Sequence, residues 1–322
     1  MPEPLLYLKA IGAAAVVSAM FVLAMAGLRR PAGAGRLNAA CVFAIGFGLA
    51  IGYYVLALQV AWPPKSALDR FLTIVLPAAL VVELIGGFQR VPRWVVWLLR
   101  LALAAAIPRI LLHGSVYLGD YSNAWTLWQA TMVLAISGGL LASVWSLLAW
   151  LPQRSPGVAI PISLCLATQC AGLTVMMAGY IKGGAAAFPL TMVLLATTIA
   201  SRLMMKGSDL QNNVGSPTKV NAMANFAAPA VIGVGVVGLF SLLFTGRFYG
   251  RLSTGPALVM LLAPLLCWLT ELPFLRHRNP WLVGTLRLTL VAIPLLVVLV
   301  LAKRDFDRDM APLLSLVQEF TF

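Results

Sequence analysis

Ten apolar runs, each close to membrane-crossing length, constrain this 322-residue chain more than any other feature. They cover 5–28, 37–61, 70–88, 93–112, 125–151, 158–179, 185–205, 224–245, 255–275 and 281–302. A helix needs roughly 20 apolar residues to cross a bilayer at 1.5 Å per residue. The chain is 61% hydrophobic and 10% charged, too apolar for a soluble core, so lipid must be its solvent. In lipid every backbone N–H and C=O needs an internal partner, and single segments meet that demand only as helices. The expected fold is an all-α, polytopic integral membrane bundle of about ten transmembrane helices. The runs at 70–88 and 93–112 fit least well, being short and charged.

The formal charge of +13 does not imply a nucleic-acid partner, because the basic residues lie in short clusters between apolar runs. With the N-terminus outside, the inner loops hold eleven Lys and Arg and the outer segments ten, or seven without the acidic C-terminal tail. That places both termini outside an inner or plasma membrane. The first run has a signal-like Ala24-Met25-Ala26, but it is long and Arg29-Arg30 follow it, so it is expected to be a retained helix. Cys41, Cys165, Cys170 and Cys267 all sit in apolar runs with no Cys-x-x-Cys spacing, which gives neither a disulfide framework nor a metal site.

Part of the chain occurs twice. Arg36-Leu37-Asn38 returns as Lys219-Val220-Asn221, and Pro77, Glu83, Trp94, Arg100 and Pro108 return as Pro264, Glu271, Trp281, Arg287 and Pro294. Trp94–Ala105 and Trp281–Ala292 share seven identities in twelve positions. The copies fall on helices 2–4 and 8–10, six spans apart, which predicts a parallel repeat. The implied organisation is a first membrane repeat over 1–112, a connecting helix pair over 113–184, a second repeat over 185–302 and an amphipathic tail over 303–322.

The repeat carries charge into the membrane. Glu83 and Arg100 lie about eight residues either side of one turn, hence at matching depth, and Glu271 with Arg287 repeats the arrangement. Three readings stand: a substrate or proton site, a structural bridge, or arginines snorkelling to the surface. Pro77, Pro108, Pro264 and Pro294 flank these residues as candidate helix breaks.

Other motifs point to packing or surface roles. Gly233-Val234-Gly235-Val236-Val237-Gly238 matches a dinucleotide fingerprint but lies in an apolar run with no strand before it. It reads as a packing face, like Gly48 and Gly52. The polar stretch Gly207–Thr218 reads as a connector. The outer loop His113–Trp125, with Tyr117, Asp120, Tyr121 and Asn123, suits an interfacial belt or a ligand. His277 sits in a basic loop. The tail carries Met310, Leu313, Leu314, Val317 and Phe320 at helical spacing, with Asp309 as a cap and Pro312 in the first turn, and is expected on the membrane surface or on a partner.

No catalytic or metal motif is present, and no cofactor is expected. The partners expected are membrane lipids and a protein docked through the tail or the cytoplasmic loops. The functional expectation is a transporter or permease for a small solute or lipid using the paired Glu–Arg groups. The alternative is a non-catalytic membrane scaffold or anchor subunit, and an enzyme acting on lipid-linked substrates comes third.

Overall fold

The computed structural model describes residues 4–27, 34–58, 60–88, 90–118, 125–154, 157–211, 229–271 and 280–319, and these form helices and turns without a strand. The helices are α1 (Pro4–Gly27), α2 (Ala34–Val55), α3 (Ala67–Arg70), α4 (Leu76–Gly86), α5 (Arg93–Leu112), α6 (Leu127–Arg154), α7 (Ala159–Met177), α8 (Ile181–Ala185), α9 (Ala187–Gln211), α10 (Pro229–Tyr249), α11 (Thr254–Leu262) and α12 (Pro280–Glu319). Among the described residues, nine helices are long and apolar enough to cross a membrane, and the chain is a multi-pass helical membrane protein.

The tenth expected run, 70–88, is a composite. Residues 67–86 form one rod of α3, a π-helical turn over Phe71–Val75, and α4. It does not qualify on apolar length because Asp69, Arg70 and Glu83 all fall within it. Its first turn is held by a capping box. The Asp69 amide donates to Ser66 Oγ at 3.1 Å, and the Ser66 amide donates to Asp69 Oδ2 at 2.9 Å.

Two further boundaries correct the sequence reading. The connector expected from Gly207 begins later, because α9 runs on to Gln211, while 212–218 lie outside the described residues. The tail is not a separate helix capped by Asp309. Instead α12 continues from the last span through Asp309 and Pro312 to Glu319. A cap acts only where the preceding turn is not helical, and here it already is.

At the centre stands α10. Every residue from Ala230 to Gly246 is buried, so this helix meets protein on all sides. Its glycines set the distances to its neighbours. A Cβ added at Gly238 would lie 2.5 Å from Leu190 of α9, and one at Gly235 would lie 3.4 Å from Leu164 of α7 and Leu194 of α9. The Gly-x-Gly-x-x-Gly pattern is therefore a helix-packing face. In α2, Gly48 meets Ser18 and Val193, and Gly52 meets Ala14 and Pro189.

Outer helices divide their faces between core and lipid. On α5, Leu103, Ala104, Ile107 and Leu111 point inward, whereas Trp94, Leu98 and Leu101 are exposed. With lipid as solvent such exposure carries no hydrophobic penalty.

Candidate functional site

The Glu83–Arg100 pair is built from one hairpin. Glu83 lies one turn before the end of α4 and Arg100 two turns into α5, with residues 87–92 between the helices. Arg100 Nε donates to Glu83 Oε1 at 3.1 Å, and Nη2 donates to Oε2 at 2.9 Å. Both carboxylate oxygens are thus met by one guanidinium in the fork geometry that makes such bonds strong. The Glu83 side chain is 0% exposed and that of Arg100 13%. Above the guanidinium, the Trp145 ring of α6 lies 5.6 Å from Arg100 Cζ.

Gly233 closes the other side. A Cβ built there would overlap the Glu83 carboxylate, so α10 presents bare backbone to the acid. Asn38 of α2 completes the enclosure. Its Nδ2 donates to the Glu83 carbonyl at 2.9 Å, and its Oδ1 accepts from the Ala230 amide at 3.2 Å. Asn38 is 2% exposed and ties α2, α4 and α10 at one end of the bundle.

Glu271–Arg287 is wired differently. The segment Ala263–Glu271 is wound as a 3₁₀ helix, and Glu271 is its last residue. Arg287 Nη2 donates to Glu271 Oε1, but Arg287 Nε donates instead to Thr270 Oγ1 at 2.6 Å. The Thr270 hydroxyl in turn donates to the Cys267 carbonyl at 2.8 Å. Side-chain exposure is 5% for Arg287 and 12% for Glu271. Glu83 precedes Arg100 by 17 residues, and it is Thr270 that precedes Arg287 by 17. The second carboxylate stands one residue later, nearer the helix end.

The four prolines divide into two kinds. Pro77 lies in the first turn of α4, just past the π-helical turn, and Pro264 stands at the start of the 3₁₀ segment, so both mark a change of winding. The helix continues without interruption through Pro108 in α5 and Pro294 in α12.

Elsewhere, His113 follows the last turn of α5 and is exposed, while Asp120, Tyr121, Asn123 and His277 lie outside the described residues. Tyr117 packs on Trp125 at 4.7 Å and on Phe248 at 5.5 Å between ring centroids. Beside them is Arg70, read in the sequence only as one of the outer basic residues. It is 9% exposed, with Nη2 donating to the Lys65 carbonyl at 3.2 Å. Tyr249 donates to the Leu111 carbonyl at 3.0 Å in the same region. Tyr180 follows Gly179, whose φ of +89° ends α7, and burial with the neighbouring Tyr249 pushes its phenol up to about 12. Among the described residues no group of His, Cys, Asp and Glu is placed to hold a metal ion.

The chain matches no family model, no curated protein and no solved structure.

Proposed function

We propose that this membrane protein moves a small solute or lipid across the bilayer, and that the Glu271–Arg287 hairpin is the polar element of that movement. The observation that carries the reading is the inequality of the two Glu–Arg hairpins. One acid is fully sealed and doubly bonded, while the other shares its arginine with a hydroxyl and keeps some exposure. Charges inside a bilayer are costly and need a reason to be kept. The sealed Glu83–Arg100 pair fits a hairpin lock, so the transport reading leans on the second pair.

The test uses the full chain reconstituted in vesicles under an imposed pH gradient. Uptake is followed for a panel of labelled small cations, anions and neutral solutes, and scrambling for fluorescent phospholipids. Movement of one class above protein-free vesicles, reduced at least tenfold in Glu271→Gln with folding intact, is the expected result. No movement of any class removes the proposal.

A second reading, the anchor subunit, is favoured by α12. Its 40 residues rise about 60 Å, roughly twice the hydrocarbon thickness, and residues 303–309 are largely exposed. Stoichiometric co-purification of one membrane partner, lost when the helix is cut after Ala302, supports that reading instead.

A further inference from the structure

Arg100 has Glu83 and Arg287 has Glu271, but Arg70 has no carboxylate partner among the described residues, although it is only 9% exposed. The adjacent acid, Asp69, is turned towards the Ser66 amide by the capping box. What meets the Arg70 guanidinium is two backbone carbonyls. Nη2 donates to that of Lys65 at 3.2 Å and Nη1 to that of Leu111 at 3.5 Å, while Nε makes no hydrogen bond among the described residues. The Leu111 bond is long, and the Tyr249 hydroxyl already donates to the same carbonyl at 3.0 Å. Carbonyl dipoles at the end of α5 ease a positive charge without neutralising it, and a buried charge without its opposite is costly.

An independent observation falls at the same place. Ser115 is 9% exposed and its hydroxyl has no hydrogen-bond partner. Ser115 and Arg70 both bring their polar ends close to the Tyr249 phenol, so the unused hydroxyl and the unneutralised guanidinium face one spot. Gly114, with a φ of +64°, keeps bare backbone beside them, and a Cβ there would touch Arg70 Nη2 at 3.4 Å. The spot opens to the surface, since Gly114 is exposed and Tyr249 is 38% exposed. Its rim is basic, with Lys65, Arg247 and Arg251 all exposed. Tyr180 stacks on Tyr249 with 6.5 Å between ring centroids, and Tyr117, Trp125 and Phe248 pack on one another beside it. Such aromatic residues gather at the level of the headgroups, which puts lipid phosphates at this depth.

We propose that Arg70 and Ser115 bind a phosphate group, carried by a lipid headgroup or free in solution. Arg70 supplies the charge and a fork of N–H donors, which fits phosphate geometry, and Ser115 supplies a hydroxyl donor. When Nη1 turns to the ligand, Tyr249 keeps the Leu111 carbonyl satisfied. The site lies about 20 Å from Glu83 along the rod of α3 and α4 and shares no residue with either Glu–Arg hairpin, so it stands without the transport reading.

The test uses the full chain purified in maltoside detergent without phosphate. The probes are a phosphatidylglycerol, a diacylglycerol with the same chains, inorganic phosphate, and acetate as the carboxylate control. Native mass spectrometry reads lipid retention, and thermal unfolding reads the ions. The expected result is retention of the phospholipid, a raised unfolding temperature with phosphate, or both, with no effect of diacylglycerol or acetate. Binding of the phospholipid alone identifies the headgroup as the source, and binding of phosphate alone identifies the free ion. Arg70→Gln is expected to weaken binding about tenfold or more, and Arg70→Lys to restore only part of it, because an ammonium lacks the paired N–H groups. If Arg70→Gln does not fold, Ser115→Ala reads the same site, with several-fold weaker binding expected and Ser115→Thr retaining it. Equal binding of diacylglycerol or acetate overturns the proposal. So does a parent chain that binds no probe, which would leave Arg70 as a clamp on the end of α5. Binding unchanged in both Arg70→Gln and Ser115→Ala places the phosphate elsewhere and overturns it too. Asp120 lies outside the described residues, and phosphate binding that arises only in Asp120→Asn would make that carboxylate the counter-ion of Arg70 and overturn the site.

Discussion

Glu83 lies against the bare backbone of Gly233, on the helix that meets protein on all sides, and the carboxylate occupies the space a Cβ would need. The acid and the glycine are therefore one design element, and adding a single methyl group tests it. Gly233→Ala forces either α10 away from α4 or the carboxylate away from Arg100. Overpacking of this kind costs about 1–3 kcal/mol, and separating a buried pair adds to it. Gly284→Ala in α12 and Gly139→Ala in α6 are the controls, since a Cβ at either meets nothing within 4 Å. These should gain up to about 1 kcal/mol from helix propensity. Denaturant unfolding in bicelles would show the split, and equal behaviour of the three variants would refute the packing account.

Asn38 offers a second probe of the same corner, without charge. It is the buried link among α2, α4 and α10, through the Glu83 carbonyl and the Ala230 amide. Asn38→Leu keeps the size but leaves the Ala230 amide without its acceptor, at a cost of about 1–3 kcal/mol. Amide exchange at Ala230 should accelerate while exchange in the middle of α6 stays as it was. A uniform change across both helices would mean that Asn38 stabilises the fold only in general.

Some of this site is legible in the sequence and some is not, for physical reasons. The partnership of Glu83 with Arg100 follows from equal distance to a turn, because two α-helices rise by the same amount per residue. The same reasoning applied to the second hairpin matches Glu271 to Glu83 and passes over Thr270. A 3₁₀ helix has three residues per turn rather than 3.6, so a side chain's direction there cannot be read from α-helical spacing. Asn38 is visible in the sequence, but its partners lie 45 and 192 residues away, and no local pattern encodes them. Arg70 directly follows a Ser-x-x-Asp capping signature, Ser66 to Asp69, that could have marked the helix start at Ala67. Asp309 and Pro312 give the opposite lesson. They form a valid start signal that loses to a helix already under way.

The capping box supplies a pH-dependent prediction outside the nine spans. Burial opposes the charge on Asp69, but hydrogen bonds from the Ser66 amide and hydroxyl outweigh it and hold the carboxyl below its ordinary value of 3.8. The folded value is lowered, so the contribution to stability is complete above the ordinary value and is lost as the pH falls through the lower, folded one. Ser66→Ala should cost about 1 kcal/mol near neutral pH. As the pH falls below the ordinary value of 3.8 and through the folded one, the difference between variant and parent should shrink in part, because the parent loses the Ser66 hydroxyl bond to the charged carboxylate but keeps the Asp69 amide bond to Ser66 Oγ. A difference that stays constant from pH 7 to pH 2.5 would show that the Asp69 charge takes no part.

The bundle also holds one chemical pairing in two environments, which allows an internal comparison of what the solvent does to it. Glu83 and Arg100 are 0% and 13% exposed, while Asp305 and Arg308, 3.3 Å apart on α12, are 70% and 78% exposed. In the exposed pair, water and salt screen the attraction, so Asp305→Asn or Arg308→Gln should change stability by less than about 0.5 kcal/mol. In the buried pair, removing one partner strands the other charge, and Arg100→Met alone should cost about 3–5 kcal/mol. Adding Glu83→Gln removes the stranded anion, so the double variant should recover a large part of that loss. Equilibrium unfolding of the parent, the two single buried variants and the double variant as a cycle gives the coupling directly. A coupling near zero would mean that Glu83 reaches solvent when Arg100 is gone. The seal formed by Gly233 and Asn38 would then fail without the pair, making the ion pair the cause of the enclosure and not its beneficiary.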